Sequence, residues 1–419
     1  MYPVSYVIVG AGGRGRGYAK FAADNPRWAK VVGVAEPLEA NRREVAQAHA
    51  VPEENVFADW KDLARRRKLA DAAIICTQDA MHADPAVRLA RKGYHILLEK
   101  PMAPNARDCR RIVAAVEKAG VIFAVCHVMR YTSYTTKLKS LIDSGLIGEV
   151  VSVQHLEPVG YWHMAHAFVR GHWRNEAESS PMLLSKSCHD LDWLRYIVGR
   201  PCVSVSSFGT LKHFRREAMP PGAAERCVSC PAAVEAQCPY SAKKIYGGRL
   251  ERKQNSWPLN VVIREFTPEA LDKALREGPY GRCVYQCDND VVDTQVVNIQ
   301  FEGGATAVFT MTAFCAAGGR KTHVFGTRGH IYGDSEKITH FDFLTDKTTE
   351  HDTRDDSSGK GHGGGDWGIM KSFTDAVAAG DATKVLSGPR ETLESHEMVF
   401  AAEKARKEGR VVRMVQRRD

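Results

Sequence analysis

Tyr6-Val-Ile-Val-Gly10-Ala-Gly12-Gly13-Arg14-Gly15 decides the reading of the whole chain. An apolar run passes into a glycine cluster, the pattern of a buried parallel strand entering a tight turn and then a helix. Gly10, Gly12 and Gly15 carry the dinucleotide-binding spacing. The first glycine permits the sharp turn. The second lets backbone N–H groups approach a pyrophosphate, and the third lets the helix lie close to the strand. The following helix aims the positive end of its dipole at the phosphates. Gly13 and Arg14 belong to the same expected cofactor loop. A second apolar run, Val31-Val-Gly-Val-Ala35, ends at Glu36. That is about twenty residues past the last glycine, where an acidic side chain binds the adenosine ribose hydroxyls. Glu36 repels a 2′-phosphate, so NAD is the expected cofactor. Arg42 and Arg43 keep NADP as the lesser alternative.

Outward from this stretch, strands and helices alternate through residue 125. Asp71-Ala-Ala-Ile-Ile-Cys76 is a buried strand that ends in Thr77-Gln78 and is followed by His82. Tyr94-His-Ile-Leu-Leu98 ends in Glu99-Lys100-Pro101, and Val121-Ile-Phe-Ala-Val125 leads to His127. Helical stretches are expected over 38–50, 60–68, 82–92 and 103–119. Such alternation demands a doubly wound parallel sheet, a Rossmann domain over residues 1–126. Thr77, Gln78, His82, Glu99, Lys100 and His127 would then sit at the carboxyl ends of strands, where ligands bind in open α/β sheets. All six are expected to contact the cofactor.

The chain has 419 residues, 44% hydrophobic and 26% charged, which is ample for two globular domains. The net charge of +8 is spread along the chain and accompanies no nucleic-acid recognition motif. No apolar run reaches membrane-spanning length, and the N-terminus lacks the layout of a signal peptide. The expectation is a cytoplasmic protein that binds neither nucleic acid nor membrane. In that compartment its eleven cysteines imply free thiols or metal rather than disulfides.

The glycine turn, Glu36 and the Glu99-Lys100-Pro101 element together resemble the glucose–fructose oxidoreductase / inositol dehydrogenase / rhizopine catabolism (Gfo/Idh/MocA) family, over nearly the whole chain. The resemblance implies that Lys100 sits between nicotinamide and substrate and takes part in proton transfer, with a cis bond often preceding the matching proline. An amine so placed can accept or relay a hydroxyl proton as hydride leaves the carbon. It also implies an α+β domain over 127–419, built on a large, open, mostly antiparallel sheet that commonly makes a homodimer or homotetramer interface. Ser185-Lys186-Ser-Cys188-His189-Asp190-Leu-Asp192 opens a helix on which the family's substrate-facing histidine is matched by His189. The family commonly has aspartate where Ser185 stands. Lys186 and His189, three residues apart, are expected to share a helical face. His189 is then a second acid/base, and Lys186 its electrostatic partner or an anion contact.

Past His127, Arg130 and Tyr131 are expected at the substrate. The segment Gly160-Tyr-Trp-His163-Met-Ala-His166-Ala-Phe-Val-Arg170-Gly-His-Trp173-Arg174 combines aromatic faces with polar donors. A carbohydrate-binding wall needs that combination, so Tyr161, Trp162, His163, His166, Arg170, Trp173 and Arg174 are its candidates. Residues 208–290 read as an insertion. There Cys227, Cys230, Cys238, Cys283 and Cys287 have spacing compatible with a structural zinc. In Gly361-His362-Gly-Gly-Gly-Asp366, Asp366 is expected to cap a helix over 367–379. His362 is a site candidate because the family's α-N-acetylgalactosaminidase branch has a similar segment. Three functions follow. The first is NAD-dependent oxidation of a sugar, glycoside or polyol. The second is glycoside cleavage by transient oxidation, elimination, water addition and re-reduction. The third is a non-enzymatic NAD or sugar sensor.

Overall fold

Strand β1 (Val4–Val9) is almost wholly buried and leads directly into a helix, Gly13–Asp24. In the computed structural model, which describes residues 3–355 and 361–415, it lies inside a six-stranded parallel sheet. The other members are β2 (Ala29–Ala35), β3 (Val56–Phe57), β4 (Ala72–Ile75), β5 (His95–Leu98) and β6 (Phe123–Val125). The order is β3-β2-β1-β4-β5-β6. It reverses at β1, so the carboxyl ends of β1 and β4 flank the crevice where such sheets take ligands. Both faces of the sheet are covered, which is why its strands are continuous apolar runs rather than alternating ones.

The connecting helices start and stop for local reasons. The helix Ala106–Ala119 begins three residues later than its apolar spacing suggests. Ala103 precedes Pro104, which disfavours helical backbone there, and Asn105 caps the helix by accepting from the Asp108 N–H. The helix Trp60–Arg65 stops short of Lys68 because Arg66 turns extended.

The second half builds a nine-stranded sheet from β7 (Val150–Pro158), β8 (Cys202–Thr210), β9 (Thr294–Phe301), β10 (Thr306–Thr312), β11 (Lys321–Gly326), β12 (Gly329–Gly333), β13 (Lys337–Asp342), β14 (Lys347–Asp352) and β15 (Val412–Arg413). Its order is β14-β13-β12-β11-β7-β10-β9-β8-β15. Among the described residues only β7 and β10 of this sheet pair in parallel; its other ladders are antiparallel. Burial alternates along β9 and β10, so one face meets the core and the other meets solvent. Val151, Phe208, Val308 and Tyr332 are large apolar side chains left exposed. The cysteine-rich excursion joins the neighbouring strands β8 and β9 and is made of short helices.

Two closing helices tie the halves together. Ile369, Met370 and Phe373 of helix Gly365–Ala379 enter the same core cluster as Tyr6 and Ile8 of β1. Leu393 of helix Pro389–Glu408 enters the other core of the parallel sheet. No helix among the described residues is long and apolar enough to cross a membrane.

Candidate functional site

The glycine loop has the sterics that a dinucleotide cradle requires. Gly10 sits at φ +91°, and a Cβ there would lie 2.6 Å from the Cys76 carbonyl carbon. A Cβ on Gly15 would lie 2.0 Å from the Gly10 carbonyl oxygen. Above Gly12 and Gly13, by contrast, an added Cβ meets nothing within 4 Å. That open space lies at the helix N-terminus, where backbone N–H groups and the helix dipole favour a pyrophosphate. Thr77 Oγ1, at the end of β4, is buried without a hydrogen-bond partner among the described residues. Glu36 is 6% exposed and accepts from the Ala11 N–H at 2.7 Å and the Leu38 N–H at 2.9 Å. Arg42 donates to the Glu36 carbonyl. These residues fit an NAD molecule lying across β1 and β4. Gly12→Ala is therefore expected to leave thermal stability unchanged while raising the NAD⁺ dissociation constant about tenfold or more, because its methyl fills the cradle. Gly15→Ala is expected to lower the melting temperature as well, because backbone must move. Calorimetry of the two variants separates the effects.

Around this loop, three residues expected at the cofactor act as supports. Arg14 donates to Glu99 Oε1 at 2.5 Å and to Asp366 Oδ1 at 2.7 Å. Glu99 also accepts from the Tyr18 hydroxyl and from the Lys100 N–H, each at 2.8 Å. Burial alone would raise the Glu99 carboxyl, but Arg14 and Lys100 hold it below its ordinary value. His82 is fully buried, with Nδ1 2.8 Å from the Pro101 carbonyl and Nε2 3.0 Å from the Thr77 carbonyl. It braces the turn that carries Lys100. The Lys100–Pro101 bond is cis.

The Lys100 side chain leaves the carboxyl end of β5 half-buried, and Nζ donates to the Ser185 carbonyl at 2.8 Å. Its partner is a backbone dipole, not a carboxylate. Lys186 does not share a helical face with His189, as the spacing suggested. The helix breaks between Met182–Ser185 and Cys188–Val198, and Lys186 lies in the break. Its Nζ pairs with Glu157 Oε1 at 2.9 Å. Arg320 reaches Glu157 Oε2 at 2.9 Å and donates to Asp190 Oδ1 at 2.5 Å. His155 Nε2 lies 3.0 Å from the same Asp190 oxygen. Burial opposes ionisation of Asp190, but Arg320 and His155 hold its carboxyl well below the usual range. Glu157, Asp190, His155 and Arg320 were not among the residues expected at the site. The signal was in strand parity: His155 and Glu157 share the buried face of β7 with Val153, where period-2 alternation calls for apolar side chains.

Imidazoles line up next to Lys100. His189 is 6% exposed, and its Nδ1 has no hydrogen-bond partner among the described residues. Its ring centre lies 5.7 Å from that of His127 and 6.4 Å from that of His362. Burial, then Lys100 and His127, hold the His189 imidazole well below its ordinary value, so it is neutral at pH 7. His362 is exposed and bonds Asp366 through Nδ1 at 3.0 Å. Asp366 is not the helix cap it was expected to be. The helix starts at Gly365, with Gly364 as its N-cap, and the Asp366 carboxylate is spent on Arg14 and His362. Burial would raise that carboxyl, yet the bonds to His362 and Arg14 hold it well below the usual carboxylate range.

His127 is fully buried, with Nε2 3.6 Å from Asp192 Oδ1. Burial pushes its imidazole from 6.5 down to about 3. Within that window the unfolded chain binds the proton and the folded one does not, so stability rises with pH. His127→Gln is expected to flatten the fall in stability between 6.5 and about 3. Urea titrations at stepped pH measure this.

Several residues expected at the substrate face elsewhere. Arg130 is fully buried and donates to both Asp192 oxygens, at 2.7 and 2.8 Å. The Tyr131 hydroxyl bonds Ser387 Oγ and accepts from the Leu386 and Ser387 N–H groups. Arg170 is 1% exposed and donates to the Arg282 and Tyr240 carbonyls. His166 stacks on Tyr280 at 4.8 Å and bonds the Tyr246 hydroxyl. Trp173 packs on Phe168 and His172, and Arg174 pairs with Asp288 and Glu178. In each case packing or a hydrogen-bonded partner within the fold holds the side chain. Tyr161, Trp162 and His163 keep accessible surface.

The zinc expectation is not supported. Among the described residues no three His, Cys, Asp or Glu side chains converge to hold a metal. Cys227, Cys230, Cys238 and Cys283 border one pocket with Arg170. The Cys227 sulfur takes hydrogen bonds from Arg170 and from the Ala242 N–H, and Cys287 donates to the Cys283 carbonyl. Burial pushes the Cys238, Cys283 and Cys287 thiols up.

Comparison with known proteins agrees with this geometry. Residues 4–127 match an oxidoreductase family with an NAD-binding Rossmann fold, and residues 139–414 match that family's C-terminal alpha/beta domain. The 2,7-anhydro-N-acetylneuraminate hydratase of Escherichia coli (strain K12) is 28% identical over 206 residues, 49% of this chain and 52% of that one. The scyllo-inositol 2-dehydrogenase (NAD(+)) of Bacillus subtilis (strain 168) is 27% identical over 216 residues, 50% of this chain and 58% of that one. The chain thus spans about half the length of each of these relatives. A levoglucosan dehydrogenase, solved with NADH and levoglucosan, superposes with a TM-score of 0.70 over 99% of this chain and 100% of that one. At 18% identity that likeness speaks to the fold.

Proposed function

This chain belongs to the glucose–fructose oxidoreductase / inositol dehydrogenase / rhizopine catabolism (Gfo/Idh/MocA) family, and from that premise we propose that it is an NAD-dependent enzyme oxidising a secondary hydroxyl of a sugar, glycoside or polyol. One observation carries the reading: the half-buried Lys100 amine at the end of β5, anchored on the Ser185 carbonyl beside a neutral His189. When bound, NAD supplies the hydride acceptor. Lys100 Nζ takes or relays the hydroxyl proton while the carbinol becomes a ketone. His189, with a ring nitrogen that has no partner among the described residues, orients the hydroxyl or passes the proton on. The Glu157–Lys186–Arg320–Asp190 network fixes the floor of the site with its charges mutually neutralised. Tyr161 and Trp162 offer flat apolar faces of the kind sugar C–H surfaces pack against. The exposed apolar side chains of the nine-stranded sheet support a homodimer or homotetramer formed through that face.

A redox-neutral route has an observation of its own in its favour. His362 lies next to His189, so the site holds more proton-handling groups than one dehydrogenation uses. Transient oxidation of a sugar hydroxyl acidifies the neighbouring C–H. Elimination of the aglycone, addition of water and re-reduction then require successive proton transfers. Aryl glycosides with catalytic NAD⁺ distinguish the routes. Stoichiometric NADH supports net dehydrogenation, and aglycone release without NADH supports the redox-neutral route. Tight NAD binding with no turnover across a broad panel would overturn both in favour of a sensor.

A further inference from the structure

Two aromatic residues far apart in sequence meet at the edge of this site. Trp162 lies on the short helix Tyr161–His163. Trp257 comes from the cysteine-rich excursion between β8 and β9. Their ring centres are 5.4 Å apart and inclined by 55°. The Trp257 ring also stands edge-on to His163 at 4.8 Å and to His166 at 5.2 Å. His163 is the link to the chemistry: burial, then Lys186, His166 and Lys100, hold its imidazole well below the ordinary value. It follows closely on β7, whose Glu157 holds Lys186 at 2.9 Å, and Lys186 is next in the chain to Ser185, whose carbonyl anchors Lys100; Trp257 is one ring further out.

This aromatic pair is not sealed like a core. Trp257 is 42% exposed and Trp162 half-buried, although the buried His166 ring stands against Trp257 on the protein side. Arg249 lies over Trp162 with its guanidinium carbon 4.3 Å from the ring centre. It donates to the Ile245 carbonyl and makes no ion pair among the described residues. Burial and Arg252 depress its guanidinium below the ordinary range. A cation kept off its usual solvation and without a carboxylate has N–H donors to spare. Exposed indole beside half-buried indole, with unspent guanidinium donors over it, suits a flat ring that carries polar substituents.

We infer that Trp257, Trp162 and Arg249 form a second-ring subsite, which takes the group attached to the reacting sugar. That group is a flat ring with a polarised C–H or π face, either another pyranose or an aryl aglycone, resting on indole with its polar substituents toward Arg249. The inference rests on the functional reading above. It adds that the excursion between β8 and β9 selects substrates extended beyond one ring.

The test uses the full chain with NAD⁺ and a panel of methyl hexopyranosides, 4-nitrophenyl hexopyranosides and disaccharides. Dissociation constants are read by calorimetry and by tryptophan fluorescence. In the wild type, extended glycosides are expected to bind more tightly than methyl glycosides of the same sugar. Trp257→Ala is expected to shift that ratio about tenfold toward the methyl glycoside, and Trp257→Phe to restore most of it. Arg249→Met is expected to weaken the disaccharide more than the unsubstituted aryl ring. Loss for disaccharides alone identifies a second sugar as the occupant, and loss for aryl glycosides alone an aglycone. Equal effects of Trp257→Ala on methyl and extended glycosides, or no effect on either, overturn the subsite and leave the functional reading standing. A wild-type protein that binds NAD⁺ but no carbohydrate overturns the functional reading, and the subsite with it.

Discussion

A Lys100→Met variant is expected to lose about two to four orders of magnitude in kcat while binding NAD⁺ with near wild-type affinity. Methionine keeps the length and apolar stem of the side chain and removes the one atom that exchanges a proton. The lost contact is the Nζ bond to the Ser185 carbonyl, at 2.8 Å. The side chain is partly exposed, so the fold tolerates the loss, and circular dichroism should be unchanged. Lys100→Arg is expected to do no better, because a guanidinium does not give up its proton at accessible pH. The split between kcat and NAD⁺ affinity is the informative readout. A turnover defect smaller than about tenfold would mean that another group, with His189 the first candidate, handles the hydroxyl proton.

The largest effect on stability is expected at Arg130, whose guanidinium is sealed in the protein interior. Arg130→Met is expected to destabilise the fold by about 3–5 kcal/mol, measured by urea denaturation. The guanidinium is fully buried and donates to both oxygens of Asp192, with a further ion pair to Glu391. Without it Asp192 remains ionisable, buried and 3.6 Å from the neutral imidazole of His127. Burial would raise the Asp192 carboxyl; Arg130, with a hydrogen bond from Ser395, holds it below its ordinary value. A folded-state pKa depressed in this way stabilises the protein above the unfolded value and stops doing so as pH falls. The variant should therefore lose most at neutral pH and converge on wild type in acid. Arg130→Lys is expected to recover little, because an ammonium cannot make the paired bonds. A loss below about 1 kcal/mol would contradict this picture of the Arg130–Asp192 pair.

What could be read from sequence followed the range of the deciding forces. The parallel sheet was legible because its strands are buried on both faces and its turn is subject to steric limits that only glycine meets. Gly10 and Gly15 carry those limits within a few residues of β1. The place of Lys100 at the carboxyl end of β5 was legible because it directly follows a short apolar strand. Arg130 was not: its partners lie 62 and 261 residues away, and an arginine beside a tyrosine reads the same whether it faces a ligand or a buried carboxylate. Arg170 failed for the same reason, its partners being carbonyls of the excursion. The Lys186–His189 spacing assumed one continuous helix, and a break between two short ones moved the lysine to Glu157. The cysteine spacing suited zinc, yet among the described residues no three such side chains converge as metal ligands. His155 and Glu157 were readable from the alternation of β7 and were passed over.

The most direct test of the central claim is a crystal structure with NAD⁺ and a sugar or polyol bound. The account predicts the pyrophosphate over Gly12 and Gly13, and Lys100 Nζ about 3 Å from the substrate hydroxyl whose carbon faces the nicotinamide. A nicotinamide directed away from Lys100, or a substrate hydroxyl served by another base with Nζ still bound to the Ser185 carbonyl, would contradict it.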